Sequence, residues 1–314
     1  MKVDKLQYGK CDYEFRTNAV KDEKLLDRAI LKPDFLCESG SHLYGMSTPE
    51  SDYDLRGFTF PPFSYLVGVK KFECKEMEGD HKVYSAAHFL KLVLKGDPQC
   101  SELFFADEKH IIECSDLGRE ILKLKDDLIS NAIYGRIMGY STGEWRKAMA
   151  IKMVSTRFNK TKKEIINDVR NHWNLNKENM DNIIKILDSV DKKKCISSMA
   201  GLGVRRKEEV GKYGFCRKSA AHAIRLVSQL TELMLTGTMV FPRPDSEMLL
   251  DIRKGKYTKE KLEAIHDSVV AKAERAREKS VLPDTPNANK VWERYSELVA
   301  DVIQKDDRFL QLVK

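Results

Sequence analysis

The pattern of hydrophobic and polar positions predicts mixed helix and strand in the first third of the chain. Lys21–Leu31 has apolar residues at helical spacing, and Pro33 follows it. Short apolar stretches bounded by Pro or Gly predict strands. The predicted strands are 34–38, 53–60 and, more weakly, 69–76, and further helices are predicted at 84–95 and 98–105. This alternation is typical of an α/β fold, here an α+β mixed sheet.

Helical patterns dominate after about residue 117. The predicted helices are 117–128, 133–154, 163–173, 179–190, 217–235, 262–279 and 287–303. We therefore predict a catalytic domain at residues 1–115 and an all-α domain at residues 116–314. No apolar run approaches the roughly 20 residues of a spanning helix, and residues 1–15 lack the apolar core of a secretory signal.

Composition narrows the class of protein. Hydrophobic residues make up 42% of the chain and charged residues 33%, which excludes both a disordered chain and a membrane protein. The seven cysteines are scattered and form no CxxC pair. An odd, dispersed set indicates reduced thiols and a cytoplasmic protein, with neither a disulfide framework nor a zinc site.

The net charge of +7 hides an uneven distribution along the chain. Residues 1–110 contain 16 Lys and Arg against 19 Asp and Glu, a net charge of −3. The remaining residues contain 39 against 29, a net charge of +10. An acidic part followed by a basic part suggests a metal-binding unit and a platform for an anionic substrate, although drifting surface charge explains it equally well.

The candidate chemistry lies between Gly40 and Arg56. Gly40-Ser41 follows a predicted strand and opens a helical turn, so backbone N–H groups and a hydroxyl form a cradle for phosphate. Asp52 and Asp54 are two apart on a predicted strand, so both carboxylates are expected on one face. Paired carboxylates beside phosphate favour Mg²⁺ and phosphoryl or nucleotidyl transfer.

This Gly-Ser turn, followed at about ten residues by Asp-Tyr-Asp, resembles the signature of the DNA polymerase β-type nucleotidyltransferases. Within that superfamily the stretch Gly40–Gly57 is similar to predicted nucleotidyltransferases linked to RNA-repair operons and also found in phages. Segments around Tyr84–Pro98, Lys218–Leu226 and Ile252–Gly255 extend the similarity over most of residues 35–285.

The resemblance implies a catalytic domain in which three carboxylates hold two Mg²⁺ ions and a nucleoside monophosphate is moved from an NTP. It assigns Asp52 and Asp54 to the metals and Gly40 and Ser41 to the triphosphate. Asp80 matches the position of the third carboxylate. Its neighbours His81 and Lys82 depart from the usual apolar pattern, so the alternatives Glu73, Glu76 and Glu78 stay open.

Further candidates for nucleotide binding surround this set. Arg56 lies on the strand face of Asp54, where it clamps a phosphate or forms an ion pair that holds the strand. His42 follows the cradle and contacts the triphosphate or packs locally. Lys218, His222 and Arg225 share one helix face; they either attract a polyphosphate, as the family motif suggests, or form a solvated face around a buried histidine.

A basic run without acidic residues predicts a nucleic-acid contact in the helical part. The aromatic residues Trp145 and Phe158 accompany it, as in proteins that combine phosphate contacts with base stacking. An ordinary solvated surface is the alternative. The residues of the run are Arg146, Lys147, Arg157, Lys160, Lys162 and Lys163.

The sequence therefore predicts a cytoplasmic, Mg²⁺-dependent nucleotidyltransferase that uses an NTP, with RNA as the leading acceptor and no membrane partner. Modification of a protein side chain is the alternative within enzymes. A catalytically inactive nucleic-acid-binding protein is the alternative from another class, and the intact pair Asp52 and Asp54 argues against it.

Overall fold

The computed structural model describes residues 3–8, 11–16, 21–77, 79–158 and 212–305, with a few single positions between 166 and 209. Among these residues, seven strands form a two-stranded hairpin and a five-stranded mixed sheet. The strands are β1 (Val3–Tyr8), β2 (Cys11–Arg16), β3 (Phe35–Ser39), β4 (Asp54–Thr59), β5 (Cys74–Met77), β6 (His81–Ser85) and β7 (Ile111–Cys114).

Helices connect most of the strands and, with loops and turns, make up the rest of the described chain. Those within the sheet region are α1 (Lys21–Leu31), α2 (Gly40–Leu43), α3 (Phe63–Leu66), α4 (Ala86–Leu94) and α5 (Pro98–Ser101). Two short 3₁₀ turns, Glu102–Phe105 and Glu108–His110, precede β7. The later helices are α6 (Asp116–Leu122), α7 (Lys125–Leu128), α8 (Ile133–Phe158), α9 (Arg217–Thr236), α10 (Ser246–Lys254), α11 (Lys259–Glu278) and α12 (Ala288–Lys305).

The five-stranded sheet has the order β5-β6-β4-β3-β7. Strands β4 and β6 are parallel, and the other neighbouring pairs are antiparallel. In the central pair β3–β4, Phe35 lies opposite Phe58 and Ser39 opposite Asp54. Because side chains alternate along a strand, Asp54, Arg56 and Phe58 leave one face of β4, and Leu55 leaves the other.

Each face of the sheet buries apolar side chains. On the Leu55 face, Ile30 and Leu31 of α1 pack with Leu36 and Val83. On the opposite face, aromatic rings stack in a row that runs from Phe35 through Phe58 and Phe89 to Phe104. Burial of each such side chain contributes about 1.5–3 kcal/mol to the free energy of unfolding, so both layers hold the centre of the sheet rigid.

The chain divides into two compact units. The first contains residues 1–139, 226–248 and 269–314, and it includes the whole five-stranded sheet. The second contains residues 140–225 and 249–268, and its described residues are helical or in connecting turns. We predicted two domains that follow each other in the sequence, divided after residue 115, whereas each of these units is built from separated segments. The assignment of catalysis to residues 1–115 and of acceptor binding to residues 116–314 stays a prediction.

The predicted fold class, an α/β core followed by helices, is confirmed. Most predicted helices begin and end within a few residues of the observed ones. Predicted helices 163–173 and 179–190 lie outside the described residues. The helix predicted to begin at residue 84 begins at Ala86, because Tyr84 belongs to β6. No helix in the described part of the chain has both the length and the apolar character needed to cross a membrane.

Candidate active site

The Gly40-Ser41 turn lies directly against the carboxylate of Asp54. Gly40 has a φ of +60°, and a Cβ built on it would stand 2.0 Å from Asp54 Oδ2. This closeness follows from the register, since Ser39 and Asp54 are the last pair of the β3–β4 ladder. Only glycine fits both the left-handed backbone and the contact with the carboxylate. The phosphate cradle and the candidate metal ligand, predicted as neighbours in sequence, are therefore also neighbours in space.

The short helix α2, which begins at Gly40, has no side-chain cap at its N-terminus. Ser39 has extended backbone geometry and makes no capping hydrogen bond. Its hydroxyl instead accepts a hydrogen bond from Arg56 Nε at 3.2 Å. Backbone hydrogen bonds close the turn: Tyr44 N donates to Gly40 O at 3.1 Å, and Met46 N donates to Ser41 O at 2.8 Å. The serine that sequence preference would use as a cap thus serves to hold Arg56.

Asp52 lies outside β4, which corrects the prediction that one strand carries both aspartates. The strand begins at Asp54, which is half-buried, while Asp52 is exposed in the preceding loop. A turn orders that loop: Thr48 N donates to Ser51 Oγ at 2.8 Å, and Ser51 N donates to Thr48 O at 2.9 Å. Strand alternation therefore fixes the direction of Asp54 alone.

A hydrogen-bonded chain that the sequence did not reveal anchors the residue between the two aspartates. Tyr53 donates its hydroxyl proton to Glu38 Oε1 at 2.6 Å, and His110 Nδ1 lies 2.7 Å from Glu38 Oε2. Burial alone would raise the pKa of Glu38, but the hydrogen bonds from Tyr53 and His110 lower it below its ordinary value. The only signal in the sequence is a charged residue inside the apolar strand β3.

Asp80 occupies the turn between β5 and β6 and faces two cations. It has a φ of +59°, and its side chain is 53% exposed. Asp80 Oδ2 lies 3.5 Å from Arg56 Nη2, and Oδ1 lies 3.5 Å from Lys82 Nζ. Because Arg56 and Lys82 are partners in the parallel β4–β6 ladder, Asp80 stands at the end of the sheet where β4 begins.

The three carboxylates are not gathered as a ready-made ligand set. Within the described residues, no group of three His, Cys, Asp or Glu side chains has the arrangement of a metal site. Among the alternatives for the third carboxylate, Glu76 pairs with Lys82 at 3.1 Å, Glu73 is exposed, and Glu78 lies outside the described residues. The assignment of Asp80 as a metal ligand stays a prediction.

Arg56 is a buried cation that links three elements. Its side chain is 4% exposed, and Nη1 donates to Gln99 Oε1 at 2.8 Å. Burial alone would lower the pKa of Arg56, but Tyr84, Tyr44 and the carboxylates of Glu102 and Asp80 raise it above the ordinary value. The guanidinium is therefore charged. The structure shows the ion pair with Asp80; a phosphate contact stays a prediction.

A family model described as "RlaP: RNA repair pathway DNA polymerase beta family" matches residues 28–301, a span that includes the Gly-Ser turn and all three candidate aspartates. The chain belongs to the RlaP family. A protein of Enterobacteria phage T4, named an uncharacterized 38.9 kDa protein in the nrdC-mobD intergenic region, is 24% identical to this chain over 293 residues. That alignment covers 76% of this chain and 87% of the phage protein. No solved structure matches.

In this RlaP family member, the residues around the cradle also pack locally. The His42 ring meets the Tyr53 ring edge-on, with 4.9 Å between centroids. Tyr44 is buried, and its hydroxyl donates to Glu102 Oε1 at 2.7 Å. The structure thus shows the packing role considered for His42, and its contact with a triphosphate stays a prediction.

Lys218, His222 and Arg225 belong to the second unit, and His222 does not carry the positive charge that a polyphosphate-attracting stripe would use. Burial, helped by the positive charges of Arg225, Lys218 and Lys147, lowers the pKa of His222 to about 3. His222 is therefore neutral near pH 7 and is not a cation of the predicted stripe. Lys218 is exposed, whereas Arg225 is buried, so these residues are not a uniformly solvated face. Nucleotide binding by this trio stays a prediction.

The basic run predicted to contact nucleic acid is described only at its start. Arg146 and Lys147 are exposed on α8, and Lys147 Nζ pairs with Glu144 Oε1 at 2.7 Å. Trp145 stacks on His266 with 3.8 Å between ring centroids, so one face of the indole is already covered. The side chain of Arg157 and all of Lys160, Lys162 and Lys163 lie outside the described residues.

Proposed function

We propose that the protein is a Mg²⁺-dependent nucleotidyltransferase that moves a nucleoside monophosphate from an NTP to an acceptor hydroxyl, with RNA as the acceptor. The contact between Gly40 and the Asp54 carboxylate carries the proposal. It joins a side-chain-free backbone turn, suited to phosphate, to a carboxylate suited to a divalent cation. Membership of a polymerase β-type family supports the same reaction class.

The residues present fit Mg²⁺ that is shared between protein and substrate. Mg²⁺ is commonly held by one or two carboxylates together with substrate phosphates, so Asp52 and Asp54 suffice without a preformed three-carboxylate cage. When bound, two such ions would supply charge neutralisation at the attacking and the leaving oxygen. Asp54 would hold such a cation beside the Gly40 backbone that is proposed to bind the phosphate.

The protein's own residues position the substrate. The backbone around Gly40 and Ser41 holds the triphosphate through N–H groups, since the Ser39 hydroxyl is engaged with Arg56. Arg56 keeps β4, Gln99 and Asp80 in one arrangement and adds positive charge to that face of the sheet. Phosphoryl-group transfer depends mainly on such positioning and charge stabilisation.

RNA is favoured as the acceptor for two reasons. The family description names an RNA repair pathway. Residues 111–314 also hold the whole basic excess, a net charge of +10, which suits a polyanion.

The experiment supplies each α-³²P-labelled NTP with Mg²⁺ and either total RNA or protein lysate. We expect label to enter RNA. Because loss of a residue that merely orients a metal ligand costs about 10–100-fold, Asp54→Asn and Asp52→Asn should each lower transfer by about 100-fold or more. Asp107→Asn is the matched control, since Asp107 is an exposed aspartate whose carboxylate pairs with Lys109 at 3.4 Å.

Absence of labelled product with the wild type would refute the hypothesis that the protein is a nucleotidyltransferase. Equal transfer by Asp54→Asn and the wild type would refute the site. If label enters protein and RNA stays unlabelled, the acceptor is a protein and the reaction is still nucleotidyl transfer.

A further inference from the structure

Tyr53 ties the two candidate metal ligands to a charged anchor on the other face of the sheet. It is the residue between Asp52 and Asp54, and its hydroxyl donates to Glu38 Oε1 at 2.6 Å. The other oxygen of Glu38 is held by His110 Nδ1 at 2.7 Å. Both carboxylate oxygens are thus engaged, so the anchor itself has a fixed orientation.

The β-ladder cannot provide this restraint. The pairing of β3 with β4 ends at Ser39 and Asp54, so no ladder hydrogen bond fixes Asp52. The Thr48–Ser51 turn orders the loop on its far side. Between that turn and the strand, Tyr53 is the residue that holds the backbone, by its hydrogen bond and by packing on the apolar cluster beneath β4.

The anchor is arranged to be strong. The acceptor is a carboxylate, and a hydrogen bond from a hydroxyl to a carboxylate is shorter and about twice as strong as a neutral one. His110 is buried in the 3₁₀ turn just before β7, so the second contact comes from a fixed part of the sheet. A tether of this kind limits the motion of the two neighbouring carboxylates.

We propose that Glu38, acting through Tyr53 and held by His110, is a positioning residue that sets Asp52 and Asp54 at the separation needed to share divalent cations. The inference rests on the proposed function, because it concerns the same site. Glu38 itself is not proposed to contact metal or substrate. Its effect reaches the metal ligands through the backbone on both sides of Tyr53.

The test measures metal affinity apart from catalysis. Mn²⁺ binding is followed by electron paramagnetic resonance in the presence of α,β-imido ATP, with the GTP, CTP and UTP analogues in parallel. Tyr53→Phe removes one oxygen and keeps the ring. We expect about 10-fold weaker Mn²⁺ binding, the scale seen when groups that orient metal ligands are lost. In transfer assays, the Mg²⁺ concentration for half-maximal rate should rise similarly, and the rate at saturating Mg²⁺ should recover to within about 2-fold of the wild type.

Two further variants make the result specific. Glu38→Gln keeps the size of the anchor and removes its charge, and it should shift Mn²⁺ affinity in the same direction as Tyr53→Phe. Tyr295→Phe is the matched control, because this tyrosine stacks on Phe60 of the same unit and lies away from the aspartates in sequence and in its contacts. It should leave Mn²⁺ affinity unchanged.

The outcomes separate the two proposals. If the wild type binds Mn²⁺ with an analogue, Asp54→Asn does not, and both Tyr53→Phe and Glu38→Gln bind as the wild type does, the positioning role is overturned and the proposed function stands. The same holds if the variants lower only the melting temperature. If the wild type neither binds Mn²⁺ with any analogue nor transfers label, both proposals fall.

Discussion

At the scale of single residues, the missing side chain of Gly40 makes room for the Asp54 carboxylate. A Cβ there would overlap Asp54 Oδ2 at 2.0 Å, and the φ of +60° adds strain for any other residue. Gly40→Ala should therefore displace the Asp54 carboxylate and lower nucleotide transfer by at least about 10-fold, in line with the cost of disturbing metal ligands. Transfer of label at saturating NTP, measured across Mg²⁺ concentrations, checks this.

The chain offers a matched control for backbone strain. Gly68 also has a positive φ, +79°, and a Cβ built on it would meet no atom within 4 Å. Gly68→Ala should lose about 1–2 kcal/mol of stability through the left-handed backbone, as Gly40→Ala does, and keep its transfer activity. Equal activity of the two variants would show that the contact with Asp54 has no functional weight.

At the scale of elements, features that depend on residues adjacent in the sequence were predictable, whereas contacts between residues distant in the sequence were not. The Gly-Ser turn, β4 and the amphipathic helix α4 follow from residues that adjoin in sequence. The Glu38–His110 contact joins positions 72 residues apart, so no local pattern announces it. Strand β6 was missed because it is short and carries polar residues such as His81 and Lys82, and β7 was missed because it has only four residues. The sheet supplies the pairing that stabilises both strands.

For the site residues too, the sequence predicted some positions and charges and left others open. Sequence spacing indicated that Asp54 and Gly40 belong together, and the β3–β4 register explains why. The sequence left open whether His222 is a cation or a buried histidine, because its neutrality depends on burial and on cations from two helices, Lys147 on α8 and Arg225 on its own helix. Likewise, Arg56 is buried and donates to Gln99 of α5, a residue 43 positions further along the chain.

One carboxylate couples three elements at the other end of the central strands. Asp34 Oδ2 accepts hydrogen bonds from Phe60 N at 2.7 Å and Thr59 Oγ1 at 3.1 Å, and Oδ1 accepts one from Ser115 Oγ at 2.8 Å. Asp34→Asn replaces one acceptor oxygen by a donor, which leaves at least one of these partners unsatisfied. We expect a loss of about 2–4 kcal/mol in the free energy of unfolding, measured by urea denaturation.

Asp116→Asn is the comparison for this variant. Asp116 is an exposed aspartate that pairs with Arg119 on the surface of α6. Such pairs contribute about 0–1 kcal/mol, so this variant should unfold close to the wild type. If the two substitutions cost the same free energy, Asp34 would not be the coupling point between β3, β4 and α6.

At the scale of the whole molecule, the location of charge should matter more than its sum. If RNA is the acceptor, its phosphates should contact the basic part of the chain, which has a net charge of +10, and avoid residues 1–110, with −3. Affinity for RNA should then fall steeply with salt, since each phosphate contact on a single strand contributes about −0.7 to the slope of log K against log salt concentration.

Arg146→Glu and Lys24→Glu test this with an identical change in net charge. Both side chains are exposed on helices, Arg146 on α8 in the basic part and Lys24 on α1 in the acidic part. In filter binding over a salt series, Arg146→Glu should weaken RNA binding and reduce the magnitude of the slope by about 0.7 or more, because a phosphate contact is lost and a repulsion is added. Lys24→Glu should leave the slope unchanged. Equal effects of the two reversals would mean that RNA responds to net charge alone, and no effect of Arg146→Glu would remove the middle of α8 from the acceptor surface.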